Sequence, residues 1–176
     1  VDMAKPSYPK EMRERAKQDG RKLVTVDVKP GSSNYGKVIY SHSVGGRHEA
    51  HHGGFTDDRR QLWLSGLESS KIFIFDVHSR PHMPVHVKTI EDFEKVTGGA
   101  VGPHGVYALP GRVLVPCLSN AKDKNGRTAL VEYSNDGDYI ATHWLPTKKT
   151  AGVAGAEFAD GYGYDARVLP RKNVLL

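Results

Sequence analysis

Two segments of the sequence share the pattern His-Gly-x-aromatic, and histidine is the residue in them that can do chemistry. The first segment contains His51 and His52, and the second contains His104. Neutral imidazole binds copper, zinc, iron and nickel. Three protein ligands that leave a position open are typical of a reactive metal site. We therefore take His51, His52 and His104 as candidate metal ligands, with hydrogen-bonded histidines at simple turns as the alternative.

The distance between these histidines indicates how they could meet. His52 and His104 are 52 positions apart, and each precedes a turn and a short apolar strand. A repeat of about this length, rich in short strands, is typical of β-propeller blades. Equivalent positions in successive blades surround a common axis. The repeat therefore predicts that the histidines converge on a central channel.

Apolar runs bounded by turn residues predict the strands. An opening pair of strands is followed by two four-stranded units, and a third unit begins near Gly161. Residues 169–176 of that unit resemble the strand and turn that begin at Leu109. The predicted strands are 23–28, 37–40, 52–56, 61–65, 71–77, 85–90, 105–109, 112–117, 129–133 and 139–145.

The fold class predicted from these units is all-β, a β-propeller of four-stranded blades. The chain would cover about two to three blades of a larger propeller, and a β-sandwich is the alternative. Residues 1–22 are expected to form an N-terminal extension with a short helix at 9–20. Residues 23–176 would be the N-terminal part of one propeller domain. Because propellers typically have at least four blades, we expect the remainder of the propeller as a partner.

Composition excludes several classes of protein. The single cysteine, Cys117, rules out an internal disulfide or a cysteine-rich zinc module, and we expect a packed thiol, with a ligand or nucleophile as the alternative. Basic residues giving the net charge of +5 are scattered, so no nucleic-acid partner is expected. No apolar run approaches the roughly 20 residues of a membrane span. A homo-oligomer is compatible with the sequence.

Other residues are weaker candidates. His48 could be a fourth ligand or a partner of a ligand, but a surface loop position is favoured. Tyr164 and Asp165 open the third unit where earlier units carry histidine, so one of them could contact a ligand in the channel or simply form a turn. The remaining histidines are expected to be structural or solvated, and they are His42, His78, His82, His86 and His143.

Several short motifs, in this order and spacing, resemble the selenium-binding protein family, which includes the methanethiol oxidases. They are residues 23–28, 37–39 and 51–55, Pro103-His104, Gly163-Tyr164-Asp165 and 170–174. The resemblance covers nearly the whole chain from about Ala4, but only the N-terminal part of a typical member. Animal members carry a cysteine linked to selenium binding just before the first strand. Residues 11–22 contain none, so the bacterial branch is the closer match.

The resemblance implies an oxidoreductase with a copper cofactor that converts methanethiol, O2 and water into formaldehyde, hydrogen sulfide and hydrogen peroxide. It places the proposed copper ligands on His51, His52 and His104, with a further histidine from outside this chain. A small thiol and O2 would be the substrates. The resemblance favours the periplasm, with the cytoplasm as the alternative. A propeller that binds metal or selenium without turnover, or one that binds other proteins, remains the competing hypothesis.

Overall fold

The computed structural model describes residues 22–123, 126–147 and 162–176, and most regular structure in these ranges is β-strand. Every strand pairing is antiparallel, which confirms the all-β prediction. The helix predicted at 9–20 lies outside the described residues. In chain order the elements are β1 (Lys22–Val26), β2 (Val38–Ser43), β3 (Ala50–Phe55), β4 (Gln61–Gly66), β5 (Lys71–Asp76), β6 (Val85–Ile90), α1 (Phe93–Val96), β7 (Ala100–Pro103), β8 (Tyr107–Leu109), β9 (Arg112–Asn120), β10 (Ala129–Ser134), β11 (Tyr139–Trp144), β12 (Val168–Leu169) and β13 (Val174–Leu175).

The first complete unit is a four-stranded meander in which β3, β4, β5 and β6 pair in sequence. The turn between β3 and β4 is closed by Asp58, whose carboxylate accepts hydrogen bonds from the Thr56 hydroxyl and the Arg60 N–H. Four consecutive residues of β5 are buried, whereas the first four residues of β6 alternate between exposed and half-buried positions. This gradient indicates that β5 is covered on both faces and that β6 lies at an outer edge.

The second unit repeats this order with one difference. Both β7 and β8 pair with β9, which pairs with β10, and β10 pairs with β11. The strand predicted at 105–109 is observed as β8, which begins two residues later, and the inner strand also has a first half, β7, on the other side of His104. The first half, β7, was missed because Gly102, with φ of 65°, interrupts the apolar pattern.

One turn of helix, α1, connects the outer strand β6 to the inner strand β7. Its anchor is Phe93, which is fully buried. The sequence analysis missed this helix because a single turn is too short to establish a helical period. Within the described ranges, no helix is long and apolar enough to cross a membrane.

The core lies between the sheets of the first and second units and also continues on the other face of the second sheet. One buried cluster joins Trp63 and Ile74 of the first unit to Val131 and Tyr133 of the second. A second cluster on the other face of β9 and β10 includes Leu114, Leu130 and the third-unit residue Ala166. Successive sheets thus pack face to face around an axis, as propeller blades do, whereas each sheet of a sandwich buries only one face. The β-propeller fold class is confirmed.

The remaining strands form two short antiparallel pairs. β1 pairs with β2 before the first blade, as the sequence predicted for an opening half-blade. β12 pairs with β13 through a 3-10 turn at 170–172, which confirms the similarity to the strand and turn after Leu109. The third unit is therefore present as its first hairpin in the described part of the chain.

Cys117 on β9 gives a prediction about the packed core. Its side chain has no exposed surface, and burial raises the pKa of the thiol well above its usual range. Since thiolate is the reactive form, we expect no measurable reaction with a thiol reagent such as DTNB under native conditions. One equivalent should react after unfolding in guanidinium chloride, as followed by absorbance. Cys117 belongs to the first buried cluster, the one that joins the first and second units. Rapid labelling of the native thiol would show that this cluster opens.

Candidate metal centre

His51 and His52 lie at a β-bulge in β3. Between Ala50 and Gly53, β3 advances three residues while the paired segment of β4 advances two, from Gly66 to Leu64. Consecutive side chains of a regular strand point to opposite faces, and a bulge reorients them by adding one residue. The imidazole rings of His51 and His52 consequently lie side by side, with 4.5 Å between their centroids.

His104 lies at an equivalent irregularity in the second blade. From Pro103 to Tyr107 the chain advances four residues, while the paired strand β9 advances three, from Cys117 to Leu114. The backbone N–H of His104 still donates to the Pro116 carbonyl oxygen at 2.8 Å. Each blade thus carries one additional residue in its inner strand at the place where histidine stands.

The three histidines converge although they come from two blades. The centroid of the His104 ring lies 4.6 Å from that of His51 and 4.7 Å from that of His52. One ligand nitrogen from each ring lies within 4.8 Å of the other two. The structure therefore brings together all three residues selected from the sequence, and their role as metal ligands stays a prediction.

A close backbone contact sets the spacing between the two blades at this point. A Cβ atom placed on Gly54 would lie 2.7 Å from the Val106 carbonyl oxygen and 2.9 Å from the Val106 Cβ. Only a residue without a side chain lets β3 approach the 104–107 segment this closely. Gly54 therefore determines how near the His51 and His52 rings come to His104.

The environment of His104 favours a neutral imidazole. The residue is fully buried, and neither of its ring nitrogens makes a hydrogen bond of regular geometry among the described residues. Burial lowers the pKa of His104 and the neighbouring His51 and His52 lower it further, whereas Asp165 and a backbone contact with Tyr164 act in the opposite direction. At neutral pH, His104 therefore has a free lone pair without a proton to displace, as a metal ligand requires.

Tyr164 of the third unit closes one side of the site. The centroid of its ring lies 4.0 Å from that of His104, with 43° between the ring planes. His51 and His52 are exposed in the part of the propeller that this chain forms. The centre therefore has a buried ligand, two accessible ligands and an aromatic wall.

Comparison with known proteins now identifies the family. The family model described as 56kDa selenium binding protein (SBP56) matches residues 7–175. The chain belongs to the selenium-binding protein family. A methanethiol oxidase from Ruegeria pomeroyi is 58% identical over 158 residues, and one from Hyphomicrobium sp is 53% identical over 155 residues. Each match covers 88% of this chain.

This selenium-binding protein chain spans about a third of the length of those relatives, 36% and 33% respectively. A solved structure described as a hypothetical selenium-binding protein from Sulfolobus tokodaii superposes with a TM-score of 0.63. The two chains are 24% identical, and the match covers 73% of this chain and 33% of the other. At that identity, the likeness shows a shared fold.

The other histidines of this family member lie away from the three-histidine group. His48 lies in the loop between β2 and β3, as expected, but it is half-buried against Phe73, with 4.8 Å between ring centroids, rather than on the surface. Its Nδ1 is buried without a hydrogen-bond partner among the described residues, and burial lowers the pKa of the ring. His42 packs on Phe75. The remaining positions are exposed at His78, His82 and His143 and half-buried at His86.

Sequence reasoning selected Tyr164 and Asp165, but it gave no packing role to Gly163 and missed Arg167. A Cβ on Gly163 would lie 2.5 Å from both the Cys117 carbonyl oxygen and the Thr128 Oγ1, so glycine lets this segment pack flush against β9. Arg167 donates a hydrogen bond to the Asp165 carboxylate at 2.9 Å. The sequence did contain a signal for Gly163. When the third unit is aligned with the two His-Gly segments, Gly163 and Tyr164 fall at the channel.

Proposed function

We propose that the protein containing this chain is a copper-dependent oxidase of small thiols. The reaction would convert methanethiol, O2 and water into formaldehyde, hydrogen sulfide and hydrogen peroxide. Two observations support the proposal. The relatives with 58% and 53% identity are named methanethiol oxidases. The chain also places three imidazoles from two blades within reach of one ion.

The donor set and its surroundings fit a copper ion. His104 has two buried ring nitrogens that make no hydrogen bond of regular geometry among the described residues, an arrangement that costs free energy unless something binds there. Imidazole suits copper, and copper stands at the top of the affinity order of divalent first-row metals. When bound, copper would supply an acceptor for thiolate sulfur and one-electron chemistry.

The three histidines would have different tasks. His104 is buried and fixed by its backbone hydrogen bond to Pro116, so it anchors the ion to the second blade. His51 and His52 are exposed within the described residues, so the thiol or a ligand from the remaining blades would bind on their side. Tyr164 covers one side of the His104 ring and limits the room for water and for bulky thiols. Three protein ligands leave at least one position open for the thiol or for a ligand from outside this chain.

Metal analysis and turnover of the complete protein test this function. We expect about one copper per propeller by mass spectrometry, together with methanethiol-dependent release of hydrogen peroxide. Both should be lost after removal of copper by a chelator and restored by copper alone. Zinc at the site would redirect the assignment toward hydrolysis. A metal-free, correctly folded protein without turnover would favour the protein-binding propeller instead.

The arrangement of the domain and its location belong to the same proposal. Residues 23–176 would form the N-terminal part of one propeller domain, with the remaining blades supplied by further polypeptide. The buried clusters that join successive units support a single domain over separate modules. A periplasmic location is tested by cell fractionation, and recovery of the protein in the cytoplasmic fraction would contradict it.

A further inference from the structure

The third unit brings a charged pair to the centre as well as the Tyr164 ring. The Asp165 Oδ1 lies 2.6 Å from the position that a Cβ on Gly105 would occupy, so the carboxylate rests against the residue that follows His104. Its Oδ2 accepts a hydrogen bond from Arg167 at 2.9 Å. Close packing of Gly163 on β9 fixes the segment that carries both charges. The carboxylate is therefore held beside the histidine group by packing on one side and by an ion pair on the other.

The histidine group itself has no charge to offset that of a cation. Neutral imidazoles contribute lone pairs only, and a cation beside buried surface is costly without an anion nearby. The Asp165 carboxylate rests against Gly105, the residue that follows His104, so it places a negative charge beside the histidine group.

We propose that Asp165 is a positioning residue that offsets the charge of the cation held by His51, His52 and His104, and that Arg167 limits its effect. This inference rests on the proposed function, since it concerns the same copper centre. It further predicts that the centre favours Cu(II) over Cu(I). A fixed negative charge stabilises a divalent ion more than a monovalent one, because Coulomb energy scales with the product of the charges.

Two substitutions with opposite expected results test the inference in the complete protein. Asp165→Asn removes the charge but keeps an oxygen that can accept from Arg167. We expect it to weaken Cu(II) binding about tenfold and Cu(I) binding about threefold in competition titrations with a chromogenic chelator. The reduction potential of the centre should rise accordingly. Arg167→Gln leaves the Asp165 charge unopposed, so Cu(II) binding should tighten and the potential should fall.

The opposite signs separate electrostatics from simple disruption, because both substitutions alter the same ion pair. Asp136→Asn is the matched control, since it removes an exposed carboxylate at the turn between β10 and β11, and it should change neither affinity. Equal affinities in wild type and Asp165→Asn, or weaker Cu(II) binding in both ion-pair variants, would overturn the inference and leave the proposed function standing. A wild-type protein that binds no copper would overturn both.

Discussion

Replacement of His104 by leucine is expected to abolish copper binding and peroxide release while making the metal-free protein more stable. Loss of a ligand should reduce copper affinity by more than the roughly 100-fold that loss of a group supporting a ligand can cost. Leucine fills a similar volume and removes two buried nitrogens that make no hydrogen bond of regular geometry among the described residues. Each unsatisfied buried polar group costs about 1–3 kcal/mol, so the free energy of unfolding should rise by about 1 kcal/mol or more.

Copper titration and denaturant unfolding of the metal-free protein measure the two effects. His82→Leu is the control, because His82 is an exposed histidine in the loop between β5 and β6. It should leave both quantities near their wild-type values. If His104→Leu retained copper and turnover, His104 would not be a ligand. If it destabilised the metal-free protein, the ring nitrogens would have partners in the rest of the polypeptide.

Gly54→Val should move His51 and His52 away from His104 without replacing any of the three histidines. The added side chain would clash with Val106, whose carbonyl oxygen lies 2.7 Å from the position of a Cβ on Gly54. Valine is otherwise favourable in a strand, so the effect would come from this contact alone. A displacement of about 1 Å between catalytic groups can cost about 100-fold in rate, and we expect a loss of that order in turnover and weaker copper binding.

A control must distinguish displacement of the histidines from general loss of stability. Ile74→Val shortens a fully buried side chain in the first cluster and should cost about 1 kcal/mol in the free energy of unfolding. It should leave copper affinity and turnover unchanged. Full activity in Gly54→Val would mean that the blades adjust their spacing freely and that the Gly54–Val106 contact does not set the geometry of the centre.

The fold could be predicted from the sequence because the order of strands and turns in one blade occurs twice along the chain. Strand β6 was predicted at the bounds observed, and the turn residues separated the other strands to within a few positions. The division of the inner strand at His104 could not be predicted. It depends on the pairing of Pro103 and Tyr107 with β9, and pairing register is a tertiary property.

The site was predictable in its residues but not in its geometry. The recurrence of histidine before glycine selected His51, His52 and His104, and alignment of the third unit selected Tyr164. A regular strand would have sent His51 and His52 to opposite faces of β3. The bulge that brings them together shows only in the pairing of β3 with β4. The contact of Gly54 with Val106 and the ion pair of Asp165 with Arg167 likewise arise only when the blades are assembled.

The division of the three histidines between two blades has a consequence for the lifetime of the protein. An ion held by His51, His52 and His104 would act as a removable cross-link between neighbouring sheets. A ligand that binds only the native state stabilises that state by RT ln(1 + [L]/Kd). This amounts to about 4 kcal/mol when the concentration of the free ion is 1,000 times its Kd. The supply of metal in the cell would then govern how long each molecule survives unfolding and proteolysis, as well as whether it can react.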